Sequence, residues 1–282
     1  MGYLPGALYL AFMIAAFMGR FTLLLHYTTH ISSSPTITWY ISWIICPFFG
    51  LPCDTYRYHH LYMHHVENNQ IPWDTTTTNP YQRDNFLHFI VYWLRHLLFV
   101  SFELPYRTFM RRTAKDGIVL SMLLYSYYYF VYWLYGIFPQ FTFWCLFMPY
   151  VTTSFLFMFG NFSQHMFVNP DSPDCNYNLA YICIGEGANN DKIFNDGYHI
   201  VHHEHSKLHW TKMADEFGDN WEEFLEKGAI VFRGIDNMMV GIMIFTGQIE
   251  KLVKNHYVGL DENILETLKH RMKPIHESKP TF

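Results

Sequence analysis

Charged side chains are scarce in this sequence. Asp, Glu, Lys and Arg make up 15% of its 282 residues, against roughly 25% in an average soluble domain. Half of the residues are apolar and 20% are aromatic, which is typical of membrane proteins that place aromatic rings at the bilayer interface. The formal net charge is only −5, and the absence of a dense basic run argues against a nucleic-acid partner.

The sequence also lacks the motifs of several common metal sites. Its five cysteines are isolated, with no CxxC pair, which argues against a zinc ribbon, an iron–sulfur site and a disulfide framework. It contains no HExxH motif of the zinc proteases. It also contains no Glu-x-x-His pair of the kind that carboxylate-bridged di-iron bundles use. Any metal site in this chain must therefore be built from other residues.

Three apolar stretches are predicted to cross a membrane, because each has about the 20 residues that a bilayer-spanning helix needs. A cluster of arginine and lysine between residues 107 and 115 precedes the second of them and marks the cytosolic side. The second and third stretches are joined by a short turn and form a hairpin. The three predicted spans are residues 3–25, 118–138 and 141–159.

Two further apolar segments are predicted to lie at the membrane interface. Residues 37–51 are too short to cross the bilayer, which favours an interfacial or re-entrant segment. Residues 86–104 are long enough, but they include Arg95, His96 and Glu103. Ionisable groups are costly at bilayer depth, so we expect this helix to lie on the membrane rather than to cross it.

The remaining segments predict loops and helices outside the bilayer. Residues 66–80 and 169–197 are polar and rich in proline, glycine or threonine, which predicts loops. Residues 211–227 predict a soluble helix with acidic residues, and residues 229–247 predict a surface-lying or packed helix. We therefore predict an all-α integral membrane protein with a single domain, residues 1–282. It would have about three transmembrane helices, interfacial helices and a cytosolic helical cap.

Histidines form the pattern with the clearest chemical meaning. On a helix, the spacing i, i+3, i+4 of His199, His202 and His203 directs three imidazoles to one face. Neutral imidazole is the commonest protein ligand for transition metals. The alternative is a surface helix that happens to be rich in histidine, because His205 and His209 follow closely.

Three other groups have members one helical turn apart. An even number of predicted spans separates the groups, so all of them would face the cytosolic side. Together with the three histidines at 199–203, these groups contain nine histidines. Nine ligands suit two metal ions with several ligands each, because a single tetrahedral zinc uses about four. The three groups are His26 with His30, His60 with His64 and the neighbouring His65, and Asn161 with His165.

These groups resemble the histidine boxes of the membrane fatty acid desaturase and hydroxylase family. His26-x-x-x-His30 resembles the first box, His60-x-x-x-His64-His65 the second and His199-x-x-His202-His203 the third. Asn161-x-x-x-His165 is similar to the extra histidine of stearoyl-CoA desaturases and its nearby asparagine. The resemblance extends from about residue 20 to about residue 210. The second box has one residue more than the usual HxxHH.

The resemblance implies a di-iron enzyme that uses molecular oxygen. It implies that the nine histidines ligate two irons and that Asn161 holds a metal through water. Electrons would come from an external donor, such as cytochrome b5 or ferredoxin with a reductase, because the sequence has no HPGG-type cytochrome b5 module. The substrate would be a fatty acyl chain in the lipid bilayer. In a eukaryote the location would be the endoplasmic reticulum membrane.

Two alternatives remain open at this point. The same ligand set can serve a fatty acyl hydroxylase, which inserts oxygen instead of forming a double bond. A non-enzymatic alternative is a membrane metal transporter. Transporters, however, place ionisable ligands near the middle of the bilayer, whereas the histidines here lie at the ends of predicted spans.

Overall fold

The computed structural model describes residues 2–31 and 34–276, and most of these residues are helical. The chain divides into two compact units. The first comprises Met1–Val66 and Leu94–Phe157, and the second comprises Glu67–Trp93 and Met158–Phe282. The three boundaries between them fall inside three helices. The prediction that residues 1–282 form a single domain stays a prediction.

Several of the longer helices among the described residues contain a π-helical turn. In chain order the helices and strands are α1 (Tyr3–His30, with a π-helical turn at Ile14–Met18), α2 (Pro35–Tyr40, continued by a π-helical turn at Ile41–Ile45 and a 3-10 turn at Cys46–Phe49), α3 (Thr55–His59, continued by a π-helical turn at His60–His64 and by His65–Glu67), α4 (Phe86–Arg111), α5 (Ala114–Ile137), α6 (Pro139–Gln164, with a π-helical turn at Phe143–Phe147), β1 (Tyr181–Ile184), α7 (His199–Glu204), α8 (Met213–Asp219), α9 (Trp221–Glu226), β2 (Ile230–Arg233), α10 (Asn237–Phe245), α11 (Ile249–His256) and α12 (Ile264–Arg271).

Among the described residues, four helices are long and apolar enough to cross a membrane: α1, α4, α5 and α6. This confirms the predicted class of a helical integral membrane protein, and by length and composition α4 could cross the bilayer as well as the three predicted spans. The charges of α4 pair with one another along the helix. Arg95 lies 2.9 Å from Glu103, and Arg107 lies 3.7 Å from the same carboxylate. Such pairing reduces the cost of bringing charges near lipid. The interfacial placement of residues 86–104 stays a prediction.

In the first unit, α1 packs closely on α6. A Cβ atom at Gly6 would lie 2.3 Å from the ring of Trp144, so only glycine allows the two helices this approach. Below this contact, buried side chains of α1 meet those of α2, with Phe21 and Phe49 stacked at 3.8 Å between ring centroids. This packing fixes the C-terminal end of α1, where the first histidine pair lies.

The second unit contains two strands that the sequence analysis did not predict. In the described part of the chain, β1 and β2 pair in parallel, with Tyr181 opposite Ile230 and Cys183 opposite Phe232. The prediction of a loop throughout 169–197 was wrong at β1, and the helix predicted over 229–247 begins only at Asn237. Both strands are short and almost wholly buried. Their pairing therefore depends on tertiary packing rather than on a local signal.

The polar segment 66–80 is not a solvated loop, because its residues 74–79 are buried. Its hydroxyl and amide groups bond to one another, and the segment also bonds to α4 and to the residue that follows α6. Thr78 Oγ1 donates to the carbonyl oxygen of His165 at 3.0 Å, and Tyr92 Oη donates to the carbonyl oxygen of Thr76 at 3.1 Å. A buried polar segment is stable when its groups find such partners. The second unit is therefore built around a polar core beside the end of α6.

A buried arginine joins this polar segment to the rest of the second unit. Arg83 has no exposed surface, and its guanidinium donates to the backbone carbonyls of six residues. Burial lowers the pKa of Arg83 to about 9, so the group is still charged at neutral pH. The six carbonyl oxygens belong to Thr78, Asn79, Met166, Val168, Arg271 and Lys273.

Candidate metal centre

The first histidine pair lies in the last turn of α1. His26 and His30 are separated by four residues on one helix face, and their ring centroids are 5.5 Å apart. His26 is buried. The helical spacing in the sequence therefore predicts the observed arrangement of these two side chains.

The second histidine group lies on a π-helical turn, which the sequence analysis did not predict. The backbone N–H of His65 bonds to the carbonyl oxygen of His60, a bond to the fifth residue instead of the fourth. A π-helical turn accommodates one extra residue in a helix and is frequent at functional sites. Here it accommodates the extra residue of the second box. The ring centroids of His60 and His65 are 4.5 Å apart.

Four histidines of the first unit converge through their ring nitrogens. Nε2 of His60 lies 2.8 Å from Nε2 of His30 and 3.1 Å from Nε2 of His65. Together with His26, each offers one ring nitrogen, and these nitrogens lie within 4.8 Å of one another. Two nitrogens on one metal ion, each about 2.1 Å from it and at a right angle, would be about 3.0 Å apart. The observed separations therefore fit ligands of one shared ion.

The protonation state of this group also suits a metal. Burial holds the pKa of His60 well below its usual value, and the neighbouring His26 and His65 lower it further. The imidazole is therefore neutral at physiological pH, which is the form that binds metals. We infer that His60, at the centre of the group, is ready to act as a ligand.

Three histidines of the second unit converge in the same way. His165 follows the last residue of α6, while His199 and His203 lie one turn apart on α7. Nε2 of His199 lies 3.3 Å from Nε2 of His165 and 3.2 Å from Nε2 of His203. All three side chains are buried. This group is thus a second set of converging ring nitrogens with spacings that fit one ion.

The other ring nitrogen of two of these histidines has a defined partner. His165 Nδ1 donates to the carbonyl oxygen of Leu179 at 2.9 Å, and His203 Nδ1 donates to Asn68 Oδ1 at 3.2 Å. Such partners fix the imidazole tautomer and its orientation toward a metal. With Nδ1 protonated, Nε2 carries the lone pair that can ligate a metal.

Asn68 is a site residue that the sequence analysis missed. Its amide nitrogen donates to the side-chain oxygen of Asn176, whose own amide donates to Glu204 at 2.8 Å. Asn68 has a left-handed backbone with φ +51°, a conformation that asparagine tolerates better than most residues. The sequence signal was therefore limited to an Asn-Asn pair that begins three residues after His65, the last residue of the second box.

Asp196 lies in the same unit, three residues before His199. Gln164 donates to its carboxylate at 2.7 Å. Burial raises the pKa of Asp196 to about 7, although the hydrogen bond from Gln164 opposes this shift. Asp196 therefore changes charge near physiological pH.

Asn161 is held by its amide nitrogen. Nδ2 donates to Tyr92 Oη at 2.7 Å and to the carbonyl oxygen of Thr76 at 3.1 Å. The backbone carbonyl oxygen of Asn161 accepts from the backbone N–H of His165 at 3.1 Å. The two side-chain bonds fix the orientation of the amide, so that Oδ1 is the atom that would bind a water. The role predicted for Asn161, holding a metal through water, stays a prediction.

His64 and His202 lie beside the converging groups of their own units. The ring of His64 is 5.8 Å from that of His60 and nearly parallel to it, and the ring of His202 is 5.9 Å from that of His199. Both side chains are buried. That these two histidines also ligate metal stays a prediction.

The arrangement can hold metal ions near the ends of apolar helices. Within the described residues, it is made of imidazole nitrogens, a donor set that suits iron, copper or zinc. A search of the curated proteins gave no match, and neither did a search of the solved structures. A protein-family model described as "Fatty acid desaturase" matches residues 2–234. This match covers most of the chain, includes both histidine groups and agrees with the helical membrane fold, so the chain belongs to the fatty acid desaturase family.

Proposed function

We propose that this membrane protein is an oxygen-dependent fatty acyl desaturase with two iron ions. The observation that carries the proposal is the convergence of histidine ring nitrogens 2.8–3.3 Å apart in each unit. This geometry suits metal ligation, and no other role in a buried core requires it. His26, His30, His60 and His65 would serve one ion, and His165, His199 and His203 the other. His64 and His202 complete the predicted set of nine.

The residues of the chain would bind the metal ions and orient their imidazole ligands. An external donor would supply the electrons that the reaction requires. When bound, the two irons supply the reduction of oxygen that makes an unactivated C–H bond reactive. One –CH2–CH2– unit, one O2, two electrons and two protons then give –CH=CH– and two waters. Leu179 and Asn68 hold the imidazoles of His165 and His203 in the tautomer that presents Nε2. Burial of most of these ligands would help to exclude water and side reactions.

The electron donor would be a separate protein, such as cytochrome b5 or ferredoxin with a reductase. The substrate would reach the site from the lipid bilayer, in which the apolar helices are embedded. We propose that the site faces the cytosol, because the basic residues 107–115 mark that side. In a eukaryote the membrane would be that of the endoplasmic reticulum.

The runner-up within the same family is a fatty acyl hydroxylase. The same residues would serve it, because insertion of one oxygen atom into a C–H bond requires the same O2 and electrons and releases one water. The description of the matching family favours desaturation. A metal transporter is disfavoured, because the histidines lie at helix ends rather than near the middle of an apolar span.

The test uses the full chain in lipid nanodiscs with iron, an acyl lipid and a reducing partner. We expect about two irons per chain and a product that has lost two hydrogens. His60→Ala should lose bound iron and product, because His60 lies at the centre of the first group. His209→Ala is the matched control, since His209 is exposed and its ring bonds locally, to Thr211.

Three outcomes would contradict the proposal. A product that has gained one oxygen would identify the hydroxylase. Zinc as the only bound metal, together with metal flux across vesicles, would identify a transporter. Equal iron content in the two histidine variants would show that His60 is not a ligand.

A further inference from the structure

Helix α10 has an apolar surface on its exposed side as well as on its buried side. Met238, Met239 and Ile242 are 37%, 44% and 43% exposed, while Val240 and Ile244 are buried. The spacing i, i+1, i+4 places the three exposed residues on one face. A surface helix of a soluble domain would carry polar side chains there.

The buried side of α10 packs against helices that border the membrane. Gly241 meets α6 so closely that a Cβ atom would lie 2.1 Å from Ser163 Oγ. The ring of Phe245 lies 5.9 Å from that of Phe159 on α6 and 5.5 Å from that of Phe86 on α4. Helix α10 is therefore fixed at the last turn of α6 and the first turn of α4.

The exposed face of α10 continues the apolar surface of α4. Phe86 and Leu87, in the first turn of α4, are 46% and 71% exposed. Phe86 touches Phe245 at the C-terminal end of α10. A contiguous apolar surface of this kind marks a site of contact with lipid or with another protein. Because α4 itself is apolar enough to cross a membrane, the continuation favours lipid.

We propose that α10 lies in the membrane interface, with Met238, Met239 and Ile242 inserted among the acyl chains. With nine residues it is too short to cross a bilayer, which needs about 20. Its ends are polar, since Asp236 caps the first turn by accepting from the backbone N–H of Met239 at 2.9 Å and Gln248 follows the last turn. A short apolar helix with polar ends suits a position parallel to the membrane surface. The proposal does not depend on the enzymatic function.

Spin-label accessibility tests this placement. The unmodified protein has two partly exposed cysteines, Cys53 and Cys175, which are first replaced by serine. Ile242→Cys is then labelled in nanodiscs, with Glu222→Cys on exposed α9 as the water-facing control and Tyr132→Cys on α5 as the lipid-facing control. We expect the ratio of oxygen collisions to nickel-complex collisions at position 242 to match that at 132. It should exceed the ratio at 222 several-fold.

Either of two results would overturn the proposal. A ratio at 242 equal to that at 222 would place the face in water, and low collision rates with both reagents would show a protein covering it.

A second measurement uses the unmodified chain and a phosphatidylcholine with a photoreactive group in its acyl chain. Crosslinks should map to residues 238–242 and not to the peptide that contains Glu222, and an unlabelled 238–242 peptide would again refute the placement.

Discussion

Replacement of Arg83 by lysine should destabilise the second unit by several kcal/mol. Arg83 donates to six backbone carbonyls, and its side chain is wholly buried. Lysine keeps the charge but has three donors on a single nitrogen. At least three of the six hydrogen bonds would therefore be lost. Hydrogen bonds to charged groups contribute about 1.5–3 kcal/mol each, which gives a loss of roughly 5 kcal/mol.

That loss is a large fraction of the 5–15 kcal/mol that stabilises a typical protein. One kcal/mol shifts the unfolding midpoint of a domain of this size by about 2–4 °C, so we expect Arg83→Lys to lower the midpoint by roughly 10–20 °C. The control is Arg233→Lys in the same unit. Arg233 is exposed, and exposed substitutions usually change stability by about 0.5 kcal/mol or less.

Buried thiols provide the assay, because a maleimide dye reacts with them only after unfolding. Cys183 reports on the second unit, and Cys46 and Cys145 report on the first. Mass spectrometry after a temperature ramp separates the three signals. In Arg83→Lys, Cys183 should become reactive at a lower temperature than in the unmodified protein, with a smaller shift at the other two. A midpoint for Cys183 within about 2 °C of the control would refute the role assigned to the guanidinium.

Three further predictions concern the site and the membrane. Asn68→Ala should weaken metal binding about 10- to 100-fold in an iron titration, as loss of a histidine's hydrogen-bond partner typically does. An unchanged iron affinity would show that Asn68 does not hold His203. Cysteines placed at Asp84 and Lys115 should both react with an impermeant reagent from one side of sealed vesicles if α4 lies on the membrane; labelling from opposite sides would show that α4 crosses. The pKa of Asp196 is raised to about 7 from its usual value near 3.8. Between these two pH values the carboxyl group is protonated in the native state and ionised in the unfolded state. The free energy of unfolding should therefore fall by up to about 4 kcal/mol as the pH rises through this window. Metal-free Asp196→Asn should lack that slope in urea titrations at pH 4–8, and an unchanged slope would assign it to another group.

The local part of the site was predictable from the sequence. The pairs His26–His30 and His199–His203 follow from helix geometry alone, because residues four apart share a face. The long apolar stretches likewise predict the helices that border the site. In these cases the sequence pattern and the structure depend on the same short-range geometry.

The other parts depend on contacts between distant segments. Asn68 and His203 are hydrogen-bonded although they are 135 positions apart in the sequence, and no local sequence pattern predicts this contact. The strands β1 and β2 have four residues each and pair only because both are buried. The π-helical turn at His60–His64 leaves no signature beyond one extra residue in the box. The polar residues 74–79 resemble a solvated loop until their buried partners are known.

These distant contacts bear directly on the metal centre. Thr78 donates to the carbonyl oxygen of His165, and Arg83 Nε donates to that of Met166 at 3.0 Å. Consecutive peptide groups at the end of α6 are therefore held by two groups of the buried polar core. A ligand held in this way needs little reorganisation when it binds an ion. Loss of iron in Arg83→Lys should then begin below the temperature at which Cys183 becomes reactive, because the peptide of His165 loosens before the unit unfolds. Simultaneous loss of iron and exposure of Cys183 would show that Arg83 stabilises the unit without positioning the ligand.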